Sequence, residues 1–329
     1  MIESAGSPLR DQLLNRRSNL ERALATSPSE PQLQKLLAEV DAALDRTSKG
    51  TYGLCDVCNE PIEPDRLMAD PLVRFCLGHM TPSQQEALEQ DLDLAAQIQS
   101  ALLPERHFRR GGWEAAYHYE GAGPISGDYC DLVSSGEDLY FIVGDVSGKG
   151  VAASMLMAHL HATFQALAPL RIPLSEIMER ASRMLCESTL PTYFATLVCG
   201  KAHRNGEVEM SNAGHNPPLL VQGSNVVPVE ATGLPLGMFC EEHFSVSKVK
   251  LAAGDTIITY TDGLSEAVDA SGAQYGTDRL LRIAKEHHSL PPMDLISACV
   301  KDLSEFESGV PKSDDLTIMV VRRLGDDRS

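Results

Sequence analysis

The sequence predicts an α+β fold for its larger, C-terminal part, preceded by a small helical module, a cysteine-rich knuckle and a linker helix. Three observations predict it. From about Trp113 onward, short strand-like runs bounded by turn residues dominate, and helical stretches interrupt them in blocks. Residues 50–80 are rich in Gly, Pro, Cys and turn formers. Leucines at near-helical spacing fill the segments on either side of that stretch.

Taken in order, residues 8–26 carry leucines on a charged background, and SPSEP at 27–31 breaks the pattern with two prolines. Residues 31–46 resume it, with Pro31 suited to a first helical turn. Two short antiparallel helices are the simplest arrangement. Residues 82–103 return to helix, with Leu88, Leu92, Ala95, Ile98 and Leu102 on one face, and Pro104 stops the run. This short seam suits a lone surface helix as well as a two-chain coiled coil. Strand-like runs then include DLYFIVGDVS, YFATLVCGKA, GEVEMSNAG, NPPLLVQG, VVPVEA, FSVSKVKL, DTIITYTDG and LTIMVVRRL. Helices are expected at 149–168, at 174–190 and near 277–306.

The whole chain sets bounds on function. Its 329 residues are 43% hydrophobic and 22% charged, the balance of a globular protein of two or three units. The net charge of −18 argues against a nucleic-acid partner and against an anionic membrane surface. No run of about 18 uncharged apolar residues is expected to span a membrane. The opening MIESAGSPLR lacks the basic start and apolar run of a secretory signal, so a cytoplasmic location is expected. Five of the eight cysteines (Cys130, Cys186, Cys199, Cys240 and Cys299) are scattered, and in a reducing compartment read as small buried side chains.

The other three cysteines belong to a pattern. Cys55-x2-Cys58 and Cys76-x2-His79 are separated by 17 residues. Two short paired clusters joined by a loop supply the four tetrahedral ligands that a structural Zn²⁺ requires. So small a finger has little core, so metal binding and folding should be coupled. The stretch GTYGLCDVCNEPIEPDRLMADPLVRFC resembles the zinc finger of the DksA/TraR family. It departs from that family in carrying His79 where a cysteine is usual, and its upstream turn lacks the acidic tip motif.

Four acidic motifs carry the chemistry: Ser126-Gly127-Asp128-Tyr129-Cys130-Asp131, Gly144-Asp145-Val146-Ser147-Gly148-Lys149-Gly150, Tyr260-Thr261-Asp262-Gly263 and Ser313-Asp314-Asp315-Leu316-Thr317. An aspartate at a strand end beside glycine can project into a cleft, and several together make an oxygen-only nest suited to Mn²⁺ or Mg²⁺. Two such ions about 3.5–4 Å apart would activate a shared water for in-line attack on a phosphoryl group. Singly, each motif is also a common turn. Gly144 to Gly150 fails as a P-loop, because three residues separate Gly144 from Gly148-Lys149 and Gly150 stands where Ser or Thr is needed. Gly121-Ala-Gly123 has the wrong spacing for a dinucleotide loop. None of the eight cysteines has Arg six positions on, which removes a cysteine-phosphatase mechanism.

In order and spacing the four motifs resemble the PPM-type serine/threonine phosphatases of the SpoIIE/RsbU branch, over roughly residues 85–325. The likeness includes Gln97-Ile-Gln-Ser-Ala-Leu-Leu-Pro104, Asn212-Ala-Gly-His-Asn-Pro217, Gly233-Leu-Pro-Leu-Gly237 and Tyr260-Thr-Asp-Gly-Leu-Ser-Glu266. The resemblance implies a β-sandwich flanked by helices. It implies that Asp145 bridges two Mn²⁺ or Mg²⁺ ions, with the Val146 carbonyl on one of them. Asp262 and Asp314 would hold the other ion, and Asp128 would act on the second ion directly or through water. Asp131 and Asp315 would either join the metal set or take a supporting or capping role. Ser126 and Cys130 stand where the family usually has Gly and an aromatic residue. His215, in a Gly-Asn-Pro turn, is expected to be structural, with general acid as the alternative role; His287-His288 should be surface.

The expected organisation is a helical hairpin (1–49), a DksA/TraR-like finger (50–80), a linker helix (81–104) and a phosphatase domain (105–326). By family likeness the substrate would be a phosphoserine or phosphothreonine on a regulatory protein such as a STAS-type anti-anti-sigma factor. The linker helix would make a homodimer contact. The alternatives are a catalytically silent phosphoprotein-binding scaffold and a DksA-like transcription-associated binder.

Overall fold

The computed structural model describes residues 6–26, 31–80, 82–189, 192–310, 312 and 314–325. It divides into two compact units, residues 1–91 and 92–329.

The first unit opens with two helices, α1 (Gly6–Thr26) and α2 (Pro31–Ser48). They pack through Leu13, Leu20, Val40 and Ala43. Pro31 begins α2, where a missing N–H is lost at no cost. The expected break at Ser27-Pro28-Ser29-Glu30 lies outside the described residues. A short helix, α3 (Pro64–Ala69), follows in the cysteine-rich segment. Tyr52 packs both on the hairpin cluster and on the small finger core of Cys55, Ile62 and Leu67.

Helix α4 (Pro82–Leu102) ends two residues before Pro104. Leu88, Leu92, Ala95 and Leu102 of the expected apolar seam are half-buried, but Ile98 is 57% exposed, and the buried position beside it is the polar Gln99, 6% exposed. Gln99 is buried because a backbone loop satisfies its amide, as described below.

In the second unit, one sheet contains β1 (His107–Arg110), β2 (Trp113–Glu120), β7 (Leu219–Gln222), β8 (Asn225–Pro228), β10 (Thr256–Tyr260) and β11 (Leu316–Arg323). Its order is β1-β2-β11-β10-β7-β8. The other contains β3 (Asp128–Ser135), β4 (Asp138–Val146), β5 (Ala195–Ala202), β6 (Glu207–Ala213) and β9 (Ser247–Lys250), in order β3-β4-β5-β6-β9. All pairings are antiparallel.

Alternation along the strands makes the layers. Leu139, Phe141 and Val143 of β4 join Trp113, Met319, Val321 and Ile257 in a core between the sheets. Tyr140 and Ile142, one residue out of phase, join the core under α5 (Val151–Leu167) and α6 (Leu174–Ser188). On the other sheet, Ile318 and Val320 turn outward onto α8 (Gly276–Glu286) and α9 (Pro292–Glu307). Each sheet is thus covered on both faces, which is why the strand sequences read as near-continuous apolar runs. The expected β-sandwich flanked by helices is present.

Three expectations change. The helix expected near 277–306 is two helices, because Pro291 and Pro292 interrupt it and Pro292 starts the second. A stretch long and apolar enough by length and composition to cross a membrane does occur, at Val151–Leu170. It contains α5, and its Met157, Leu160 and Phe164 lie in the core. Finally, Cys130, Cys199 and Cys299 are buried thiols, but Cys186 and Cys240 form a disulfide and Cys240 is exposed. The Gly237 turn brings these two together: the Ser182 hydroxyl in the middle of α6 accepts from Gly237 N, so the loop lies along the C-terminal half of α6.

Phe141 is fully buried between the sheets beside Trp113, the one tryptophan of the chain. Phe141→Ala should lower the unfolding free energy by about 3–5 kcal/mol. Denaturant titration followed by Trp113 fluorescence measures this directly; a loss below about 1 kcal/mol would contradict the packing described.

Candidate metal centre and active site

The two sheets bring the four acidic motifs to one end of the sandwich. Asp128 opens β3 and stands directly opposite Asp145 of β4. Asp145 is flanked on its other side by Thr196 of β5. Asp262 begins the single-turn helix α7 (Asp262–Ser265), right after β10. Asp314 and Asp315 precede β11; Ser313 lies outside the described residues. Asp145, Asp262, Ser147, Thr196, His215 and Glu266 line a cavity of about 320 Å³. Lys149 reaches toward it, with Nζ 3.1 Å from Asp314 Oδ1.

These carboxylates crowd one another. Burial, then Asp262 and Asp314, push the Asp145 carboxyl up to about 7. Burial, then Asp314 and Glu266, raise that of Asp262. Burial raises Asp128 well above the carboxylate range, against the pull of the Thr317 hydroxyl. Like charges in a low-dielectric cleft are relieved by protons or by a cation.

The surroundings fit a hard divalent ion. The donors are all oxygen, which suits Mn²⁺ or Mg²⁺. Gly127 leaves space beside them: a Cβ there would stand 3.2 Å from the Val146 carbonyl oxygen and 3.4 Å from Asp145 Oδ1. The aspartate oxygens are more widely spread than the finger ligands, which are the one set of three or more such groups gathered within 4.8 Å among the described residues.

Neighbouring groups fix the aspartates. Asp128 points between the sheets, where its Oδ2 accepts from Thr261 Oγ1 at 2.9 Å and Thr317 Oγ1 at 2.6 Å. Both threonines come from the opposite sheet's strand ends. Asp315 accepts from the backbone N–H groups of Ala122 and Gly127, each at 2.8 Å, and so clamps the loop leading to Asp128. Gly263 lets the Asp262 turn sit on the Asp315 backbone, because a Cβ there would come within 1.9 Å of the Asp315 carbonyl oxygen. Gln99 of α4 holds the same loop from the other side: its Nε2 donates to Ser126 O at 2.7 Å, and its Oε1 accepts from Ser126 N at 3.0 Å. The Gln99 amide also donates to Ser154 Oγ of α5 at 3.3 Å.

Asp131 lies three residues beyond Asp128 and therefore on the other face of β3. It accepts from Tyr129 Oη, Gln165 Nε2 and its neighbour Leu132 N, away from the cleft. His215 lines the cavity but is 5% exposed, and burial lowers its pKa to about 4. Its Nδ1 meets Thr196 Oγ1 at 2.8 Å, and Asn212 bonds both its N–H and its carbonyl. The imidazole is thus tethered through Nδ1 and through its backbone, while its buried Nε2 has no hydrogen-bond partner. Sequence reasoning singled out neither Thr261 and Thr317 as supports nor Gln99 as a clamp. Their signal is only proximity in sequence to an aspartate or to the linker motif.

In the first unit, Cys55, Cys58, Cys76 and His79 place one ligand atom each within 4.8 Å of one another. Asn59, with φ of 59°, takes the left-handed turn after Cys58, and Cys55 N closes it on Glu60 O. Cys55 is desolvated, which raises its pKa, but backbone N–H groups of Cys58, Cys76 and Val57 outweigh this and bring it to about 6. A thiolate beside further thiols and an imidazole is a zinc-type donor set. Stripping metal with a chelator should therefore unfold residues 50–80, seen as loss of amide-exchange protection there, with protection in β4 and β11 unchanged. Equal protection with and without chelator would show that the finger folds without an ion.

Comparison with known proteins fits this geometry. Residues 135–324 match the family described as Stage II sporulation protein E (SpoIIE), and residues 50–78 match the prokaryotic dksA/traR C4-type zinc finger, a match that ends one residue short of His79. The phosphoserine phosphatase RsbU of Bacillus subtilis is 23% identical over 242 residues, 73% of this chain and 72% of RsbU. Protein IcfG of Synechocystis is 24% identical over 263 residues, but the chain spans only 41% of its length. The SiaA-PP2C domain of Pseudomonas aeruginosa shares the fold, with a TM-score of 0.64 at 21% identity, covering 74% of this chain and 99% of that one. The sporulation-family match takes in more than half of the chain, on a sandwich whose strand ends gather the aspartates, and the chain belongs to the SpoIIE family.

Proposed function

We propose that the chain is a metal-dependent serine/threonine protein phosphatase acting on a phosphorylated regulatory protein. The observation that carries this reading is the oxygen-lined cavity holding Asp145 and Asp262 at the meeting of two sheets. RsbU is named a phosphoserine phosphatase; the same substrate class is proposed here, with a STAS-type anti-anti-sigma factor as the favoured kind of protein.

In this reading Asp145, the Val146 carbonyl, Asp262 and Asp314 hold two Mn²⁺ or Mg²⁺ ions, and Asp128 acts on the second directly or through water. The ions, when bound, supply an activated water and neutralise charge on the phosphoryl group. The chain's own residues set the stage. The Thr261 and Thr317 hydroxyls keep the Asp128 carboxylate oriented. Asp315 holds the preceding loop. His215, tethered by Thr196 and Asn212, packs the wall of the cavity as a structural residue. Cys55, Cys58, Cys76 and His79 hold a structural Zn²⁺, and the N-terminal unit serves as the input module. Gln99 ties the linker helix to the Ser126–Asp128 loop, so a change in the helix reaches the metal loop through two hydrogen bonds. A homodimer contact through that helix would act at this point.

Mn²⁺-dependent hydrolysis of p-nitrophenyl phosphate and of a phosphoserine peptide tests the reading. Asp145→Asn and Asp262→Asn should each lower turnover by at least about a hundredfold with the fold intact. Metal-dependent turnover that survives both substitutions would overturn the site. Loss of metal binding without any wild-type turnover would instead favour a silent phosphoprotein-binding scaffold.

Proton linkage gives a second test. The Asp145 carboxyl is raised to about 7, so it is protonated below that pH and ionised above it. Metal binds the ionised form. Affinity for Mn²⁺ should therefore rise with pH up to about 7, changing about tenfold per pH unit for each proton displaced, and flatten above. The metal-free unit should gain stability as pH falls through that value, since the folded state then takes up the extra proton. Calorimetry in buffers of different ionisation enthalpy reads the proton release; pH-independent affinity would refute the linkage.

A further inference from the structure

The first unit contains a second concavity, unrelated to zinc or to the aspartates. It is a groove of about 540 Å³ between α1, α2 and the finger, lined by Arg16, Lys35, Arg46, Arg66 and Arg74. Only two acidic residues, Glu39 and Asp70, line it with them. Residues 1–91 hold nine Lys and Arg against fifteen Asp and Glu, so this acidic segment concentrates five of its nine cations in one groove.

Arg74 is paired closely with Asp56, at 2.5 Å, and Arg66 meets Glu63 at 3.7 Å, but the other three cations are incompletely neutralised. Arg16 and Lys35 meet their acidic neighbours Asp70 and Glu39 only at 4.0 Å. Arg46, whose side chain is 16% exposed, meets Asp56 at 3.5 Å, and its buried Nε has no hydrogen-bond partner. Arg66 is oriented at the floor by its bond to Phe75 O at 2.9 Å. Leu36, Val73 and Phe75 supply an apolar wall. Fixed guanidinium groups recognise phosphoryl oxygens with paired donors, and a concavity of this volume suits a small molecule.

We propose that this groove binds a small, multiply charged phosphorylated molecule of nucleotide size, the chemical input to the N-terminal unit. The anion takes the place of solvent between Arg16, Lys35 and Arg46, and a ring or other apolar portion rests on Phe75. The proposal concerns binding alone, so it stands or falls separately from turnover at the aspartate site.

Calorimetric titration of the full, zinc-replete chain, without added Mn²⁺ or Mg²⁺, provides the test. The probes are ATP, GTP, inorganic pyrophosphate and a polyglutamate peptide. Saturable binding of a nucleotide or pyrophosphate is expected, weakened by added salt. Arg16→Glu with Lys35→Glu should weaken it about tenfold or more, with melting temperature and zinc content unchanged. If that pair perturbs folding, Lys35→Glu alone, at a residue 80% exposed, should weaken binding in the same direction. No binding at millimolar concentrations, binding indifferent to these substitutions, or binding of polyglutamate alone would each overturn the proposal.

Discussion

Mutual repulsion among carboxylates at one end of the sandwich is the constraint that the second unit is arranged around. Asp128, Asp145 and Asp262 all carry raised pKa values, with burial the leading cause and neighbouring aspartates adding to it. Such a cluster is unfavourable in isolation and persists only where the scaffold holds it. Two hydroxyls on Asp128, two backbone N–H groups on Asp315 and a lysine beside Asp314 provide that hold. Metal-loading would turn the same repulsion into affinity, because the carboxylate oxygens are already in place and need only give up their protons.

The scaffold joins its two sheets through the same residues. Asp128 belongs to one sheet, and the threonines that bind it belong to the strand ends of the other. A shift of one sheet over the other would therefore break polar contacts at the site as well as apolar packing at Phe141 and Trp113. Bare Cα positions set how closely the pieces approach. Gly263 meets the Asp315 backbone where no side chain fits, and Gly127 opens the space beside Val146 and Asp145. The site's geometry is thus a consequence of sheet packing together with the loop before Asp128 that Asp315 and Gln99 hold.

Legibility in the sequence followed the range of each interaction. The finger was readable because its ligands lie in two local pairs whose spacing zinc itself dictates. The sandwich was readable from strand-like runs and from the ordered recurrence of the aspartate motifs. What escaped were long-range contacts between residues of ordinary type. Cys186 and Cys240 are 54 residues apart, and nothing in either neighbourhood foretells their pairing. Gln99 sits within a helical pattern that assigns burial to apolar residues, yet its amide is consumed by Ser126, 27 residues on. The pair Pro291-Pro292 was visible, and by its own steric rules should have split the expected helix near 277–306.

The two candidate metal sets would have separate duties by their donors. Cysteine sulfurs and an imidazole, gathered within 4.8 Å, favour a soft or borderline ion and would leave it no open position once four ligands close. The aspartates present hard oxygens across a cavity of about 320 Å³, which has room for water and for a phosphoryl group beside an ion. Zinc exceeds magnesium and manganese in intrinsic affinity for most donors, so affinity alone would not sort the ions. Geometry does: the finger's site needs its fold to exist, whereas the aspartate site is held by sheets that stand without it. Metal lost from the first would therefore unfold a module, and metal lost from the second would leave a folded, charge-strained cleft.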